Sequence, residues 1–130
     1  MIQILKSKIH RAIVTEANLD YSGSITLSNE YLNLAKIREY EKVLVVDVNN
    51  GNRFETYVIS TEEKHVICLN GAAARLVSVG DKIIIMSFKF VQSENQYSYK
   101  PNIVLLNENN EVITNENIWA KEKNRKICAG

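Results

Sequence analysis

A serine that follows a glycine, as in Gly23-Ser24, sets a hydroxyl nucleophile beside the preceding carbonyl, and the glycine lets the backbone take up conformations other residues avoid. Taken alone, Tyr21-Ser-Gly-Ser-Ile25 reads as a polar turn between two β-prone segments. Thr56 and Tyr57 bring two more hydroxyls. As neighbours on an ideal strand they would point to opposite faces, so serving one site requires local bending or an edge position. Otherwise they are an ordinary β-former and a half-buried aromatic. Asn70-Gly71-Ala72-Ala73 offers an amide side chain and a backbone without bulk, suited to bringing N–H groups near a carboxylate or imine; the plain alternative is a turn into a helix. Lys8 and Arg53, taken by themselves, read as two solvated surface cations.

Metal chemistry finds little support. His10 and His65 stand in different predicted strands, and Cys68 and Cys128 form no C-x-x-C pair, so no ligand cluster emerges. Cys68 falls in the apolar run His65-Val-Ile-Cys-Leu69 and reads as an inert core thiol.

The elements that must position these groups are mostly strands. Ile9 to Val14, Val43 to Val48, Arg53 to Ile59, Val66 to Leu69, Lys82 to Val91 and Ile103 to Leu106 are short β-branched runs. Asn49-Asn50-Gly51 tolerates positive φ and predicts a hairpin that returns through Arg53 to Ile59. Ser28 to Ile37 reads as a short helix with Ser28 at its N-cap, and Ala72 to Leu76 as a further helical turn. Many strands and one or two short helices predict a mainly β chain built as a small barrel. From Asn107 the chain turns polar, and the stretch 112–130, with charges around Trp119, reads as a frayed or docked tail.

Composition bounds the partners. Sixteen Lys and Arg against fifteen Asp and Glu leave a formal charge of +1, no global excess for a polyanion or an acidic membrane. A barrel presenting Lys6, Lys8, His10 and Arg11 to single-stranded nucleic acid is the competing reading, but it lacks stacking aromatics near that patch. Lys6, Lys8 and Arg11 break the first apolar stretch, so it is no signal-peptide core, and the other apolar runs fall short of the ~20 residues that span a bilayer. A soluble, cytoplasmic protein is expected.

Four segments stand together in one order: Lys8-Ile-His10-Arg11; Tyr21-Ser-Gly-Ser24; Asn49-Asn-Gly-x-Arg53-Phe-x-Thr56-Tyr57; and Asn70-Gly-Ala-Ala-Ala74-Arg followed by Val79-Gly-Asp81. Together they resemble the aspartate 1-decarboxylase family over roughly Met1 to Glu111. The resemblance implies a double-psi β-barrel over 1–111, assembled as a homotetramer, and production of β-alanine from L-aspartate for pantothenate synthesis. It makes Gly23-Ser24 a self-cleavage bond that divides the chain into 1–23 and 24–130, with Ser24 the source of a covalent pyruvoyl group. That ketone forms an imine with the substrate amine and takes up the electrons left by carbon dioxide, so no external cofactor or metal is implied. A helper protein for maturation is compatible with the sequence.

By the same resemblance, Thr56 serves maturation and substrate contact, and Tyr57 protonates the carbanion. Asn70, Gly71, Ala72 and Ala73 bind substrate, and Ile84 walls the leaving carboxylate; His10 and Tyr21 are supporting residues. Lys8 and Arg53 would meet a substrate carboxylate. A cation on the α-carboxylate would stabilise the ground state more than the transition state, so both are placed on the retained β-carboxylate. The remaining alternative is a structural tetramer that never cleaves.

Overall fold

The β-branched runs pair as strands in a computed structural model, which describes residues 1–93 and 99–114. The strands are β1 (Ile2–Ile13), β2 (Glu16–Asn18), β3 (Ser24–Ser28), β4 (Lys42–Asp47), β5 (Arg53–Thr61), β6 (Ile67–Asn70), β7 (Lys82–Val91), β8 (Asn102–Leu106) and β9 (Val112–Thr114). One α-helix, α1 (Asn29–Ala35), and one 3-10 helix, Gly71–Leu76, complete the described chain, so the mainly β class with one or two short helices is the class observed.

Hydrogen-bonded neighbours run β2-β6-β3-β5-β4-β7-β1-β8-β9. The circuit closes because β1 and β2 are nearly continuous, parted only by Val14 and Thr15. Val14 N–H donates to the Asp81 carbonyl at 2.9 Å, beside β7, and Thr15 N–H donates to the Ile67 carbonyl at 2.8 Å, on β6. A barrel wall of β1/β2, β6, β3, β5, β4 and β7 results. Each wall strand sends a fully buried side chain inward: Ile9, Leu69, Ile25, Val58, Val45 and Ile85 are all 0% exposed. Tyr31, Leu32 and Ala35 bury the inner stripe of α1 against the same core.

The Asn49-Asn50-Gly51 turn joins antiparallel β4 and β5, with Gly51 at φ 78°. Ser28 occupies the N-cap position of α1 but does not cap it; its hydroxyl donates to the Glu63 carbonyl at 2.6 Å and accepts from Val66 N–H at 2.7 Å. Three strands were not expected. β2 and β3 flank the Tyr21–Ile25 turn, in segments read only as β-prone, and β9 occupies the first three residues of the expected polar tail, paired with β8. The tail from 115 onward, with Trp119 and Cys128, lies outside the described residues.

Candidate active site

Register places the Gly23-Ser24 bond. β3 runs antiparallel to β6, pairing Ser24 with Asn70 and Thr26 with Cys68, while β2 runs parallel to β6 and pairs Glu16 with Cys68. Paired residues share a face, and side chains two apart on a strand do too. Glu16, Cys68, Asn70, Ser24 and Thr26 therefore form one polar strip on the outer face, with Ile25 and Leu69 turned into the core.

Ser24 is 4% exposed and its hydroxyl is engaged on both sides. It donates to the Ser22 carbonyl at 3.2 Å and accepts from Asn70 Nδ2 at 3.0 Å. The second Asn70 donor serves Thr26 Oγ1, also at 3.0 Å. Asn70 is itself buried, and Cys68 Sγ lies 3.2 Å from its Oδ1 and 3.1 Å from Glu16 Oε2. Burial, and then the neighbouring Glu16 carboxylate, push the Cys68 thiol up to about 12.

The glycine requirement falls on Gly71 rather than on the glycine before Ser24. Gly71 holds φ 63°, and a Cβ there would come within 2.6 Å of Gly23 N and 2.7 Å of the Tyr21 carbonyl oxygen. No side chain fits between the 3-10 helix and the loop carrying the Gly23-Ser24 bond. Gly23 itself is outside the left-handed region, and a Cβ there would meet nothing closer than 3.9 Å, so the expected use of its conformational freedom is not seen in the continuous chain.

Two clefts flank the bond. One, of about 510 Å³, is lined by Tyr21, Ser24, Thr26, Tyr57, Cys68 and Asn70, with Glu16 and Glu63 adding negative charge. The other, of about 330 Å³, is lined by Gly23, Glu55, Thr56, Tyr57, Ala72 and Ala73. Thr56 and Tyr57 thus share a cleft although adjacent on β5, and Tyr57 reaches both clefts.

Of the expected site residues, Gly23, Ser24, Thr56, Tyr57, Asn70, Gly71, Ala72, Ala73 and Tyr21 come together here. Lys8, His10, Arg53 and Ile84 line neither cleft. Arg53 and Ile84 both pair with Val46, from either side of β4, and Lys8 pairs with Met86 two residues beyond Ile84. These three occupy another outer face of the barrel, because strand pairing fixes the face of a residue whatever its chemistry. Sequence reasoning missed Glu16, Thr26 and Cys68. Their signal is the two-residue spacing of Ser24 with Thr26 and of Cys68 with Asn70, legible only once the two strands are paired.

Comparison with known proteins gives the family. Residues 1–113 match the family model described as Aspartate decarboxylase. The chain is 60% identical over 109 residues to the aspartate 1-decarboxylase of Campylobacter jejuni strain 81116, covering 84% of this chain and 86% of that protein. It is 55% identical over 129 residues to that of Caldicellulosiruptor saccharolyticus, covering 98% and 99%. For Acetivibrio thermocellus the figures are 54% over 127 residues, covering 97% and 98%. A family match over most of the chain and relatives this similar along nearly their whole length lead to one conclusion: the chain belongs to the aspartate decarboxylase family.

Proposed function

We propose that this chain is a precursor that cuts itself at Gly23-Ser24, and that the product, carrying a pyruvoyl group made from Ser24, decarboxylates L-aspartate to β-alanine in the cytoplasm for pantothenate synthesis. The observation that carries the reading is the Ser24 hydroxyl, buried beside its own backbone and held between the Ser22 carbonyl and Asn70 Nδ2. Ser24 Oγ attacks the Gly23 carbonyl carbon, and the C–N bond breaks as the nitrogen takes up a proton, leaving an ester. Loss of the Ser24 α-proton and cleavage of its Cβ–O bond release peptide 1–23 as a carboxylate. Water then displaces the nitrogen as ammonia, and residue 24 becomes a ketone next to its own carbonyl. Once formed, that group supplies an electron sink for decarboxylation.

The surrounding residues fit such a group. Asn70 Nδ2 points an N–H at residue 24, and Gly71 keeps the loop pressed against the 3-10 helix. Tyr57, facing both clefts, returns the proton to carbon after carbon dioxide leaves. Thr56, Ala72 and Ala73 bound the cleft on the Gly23 side.

Aspartate brings two carboxylates, yet among the described residues no Lys or Arg lines either cleft and three glutamates do. A second copy of the chain supplies the cations. The outer face that carries Lys8, Arg53 and Ile84 also shows half-buried Leu44, Val46 and Met86, an apolar ground for subunit contact. This supports a homo-oligomer, read as a tetramer, in which Lys8 and Arg53 hold the retained β-carboxylate and Ile84 walls the departing one.

Intact mass measurement tests the reading. Two fragments parting at Gly23 are expected, and Ser24→Ala should stay uncut, folded and inactive; cleavage at position 23 in that variant would overturn the mechanism. Using purified chain without added protein also shows whether maturation is spontaneous or assisted by a helper.

A further inference from the structure

Glu16 and Cys68 have no part in the mechanism above, yet both stand in line with it. Cys68 Sγ sits between two acceptors, Glu16 Oε2 at 3.1 Å and Asn70 Oδ1 at 3.2 Å, with its neighbour's carbonyl on Leu69 distant at 3.9 Å. Beyond it, Asn70 donates both of its N–H groups, to Ser24 and to Thr26. A thiol has one proton to give. Its use is contested.

An asparagine amide carries two donors at one end and an acceptor at the other, and it can be turned over with little change of shape. The Thr26 hydroxyl donates or accepts and satisfies the amide either way round, and the Ser24 hydroxyl does so by turning its one proton from the Ser22 carbonyl to the amide oxygen. Cys68 is the neighbour that discriminates. With its S–H on Asn70 Oδ1, Nδ2 must face Ser24. With its S–H on Glu16, sulfur lone pairs face Asn70, and the amide gains by turning its N–H groups to sulfur and its oxygen to Ser24. The thiol, pushed up to about 12 by burial and then by Glu16, keeps its proton at neutral pH and stays a donor.

We propose that Cys68 is a positioning residue whose S–H, contested by Glu16, decides which end of the Asn70 amide faces residue 24. The inference deepens the reading of Ser24 as the processed residue and rests on it for its consequence. An N–H aimed at residue 24 stabilises negative charge developing on oxygen there, during attack or afterwards, whereas an amide oxygen in that place opposes it.

Two measurements on the full chain test this, both in a Cys128→Ala background so that Cys68 is the sole thiol. The first is the infrared S–H stretching band, which reports the hydrogen bond made by the thiol. It should shift in Asn70→Ala, and an unchanged band would overturn the contact. The second is the time course of cleavage by intact mass. Cys68→Val, which fills the space without a donor, should cleave about tenfold more slowly, less than the loss expected for removing a charge-stabilising donor itself. Cys68→Ser, a stronger donor, should stay within about threefold of the unsubstituted chain. Glu16→Gln, able to donate to sulfur and free the S–H for Asn70, should be no slower. Serine and valine variants that are equally slow would show that Cys68 only packs, and a valine variant at the unsubstituted rate would remove its role. If the unsubstituted chain never cleaves, the processing reading fails, while the infrared band still decides the contact.

Discussion

Tyr57 lines both clefts beside the Gly23-Ser24 bond, and under the proposed function a single atom of it distinguishes maturation from turnover. Tyr57→Phe removes the donor and leaves the ring, so the precursor should still be cut while decarboxylation falls on the order of 10²-fold or more. Single-turnover rates on fully processed protein check this; an undiminished rate would give the proton transfer to water or another group. The glycines divide differently from what their sequence context suggests. A Cβ at Gly71 would strike the backbone of Gly23 and Tyr21, whereas one at Gly23 has room. Gly71→Ala should therefore displace the loop and abolish cleavage, and Gly23→Ala should fold with a midpoint of denaturation close to that of the unsubstituted chain. Arg53 carries a substrate prediction. With Arg53→Ala, the preference in kcat/KM for aspartate over alanine should shrink, because the contact that rewards the second carboxylate is gone. An unchanged preference would move Arg53 out of the substrate site.

Among the elements, the ladder of β2, β6 and β3 is what makes the site, and it was the part least legible in the sequence. The strands β4, β5 and β7 announce themselves as β-branched runs six to ten residues long, and in β4 and the first half of β7 every second residue is buried. β3 is five residues with serines at both ends, and β2 is three, so neither offers a pattern distinguishable from a turn. Their pairing is long-range: Ser24 meets Asn70, 46 residues away, through a register that no local propensity encodes. For the same reason the Cys68 thiol, buried as expected, could not be seen to face Asn70 and Glu16. Asn49-Asn50-Gly51 was readable because a turn is local chemistry. The described chain ends with a comparable lock: Asn110, at φ 59° and 3% exposed, accepts from Ile13 N–H at 2.8 Å and donates to the Ile13 carbonyl at 2.9 Å. Its own carbonyl accepts from the Tyr31 hydroxyl. Asn110→Gly keeps the backbone conformation and loses both side-chain bonds, and should cost about 2 to 3 kcal/mol in chemical denaturation, as expected when buried backbone groups are left unpaired.

For the whole molecule, the resemblance of four short segments carried further than composition, since strand content alone supports many small barrels. Alkali probes how the barrel holds together. Burial, with Glu30 second, raises the Tyr31 hydroxyl from 10.0 to about 12, so the folded state favours the neutral phenol. That contribution is fully present below about pH 10 and disappears as pH climbs through about 12; Tyr31→Phe should flatten this part of the stability profile. A larger consequence follows from the continuity of β1 with β2. Peptide 1–23 contains all of both, lies between β7, β8 and β6, and contributes Ile9, Ala12 and Val14 to the core. Once the bond before Ser24 is cut, the barrel is a noncovalent heterodimer of fragments, and unfolding becomes dissociation. Melting of the processed protein should then rise with protein concentration, as any bimolecular equilibrium does, while the Ser24→Ala precursor gains no such dependence from this step. With the bond cut as proposed, one gene encodes two peptides that share a single barrel core.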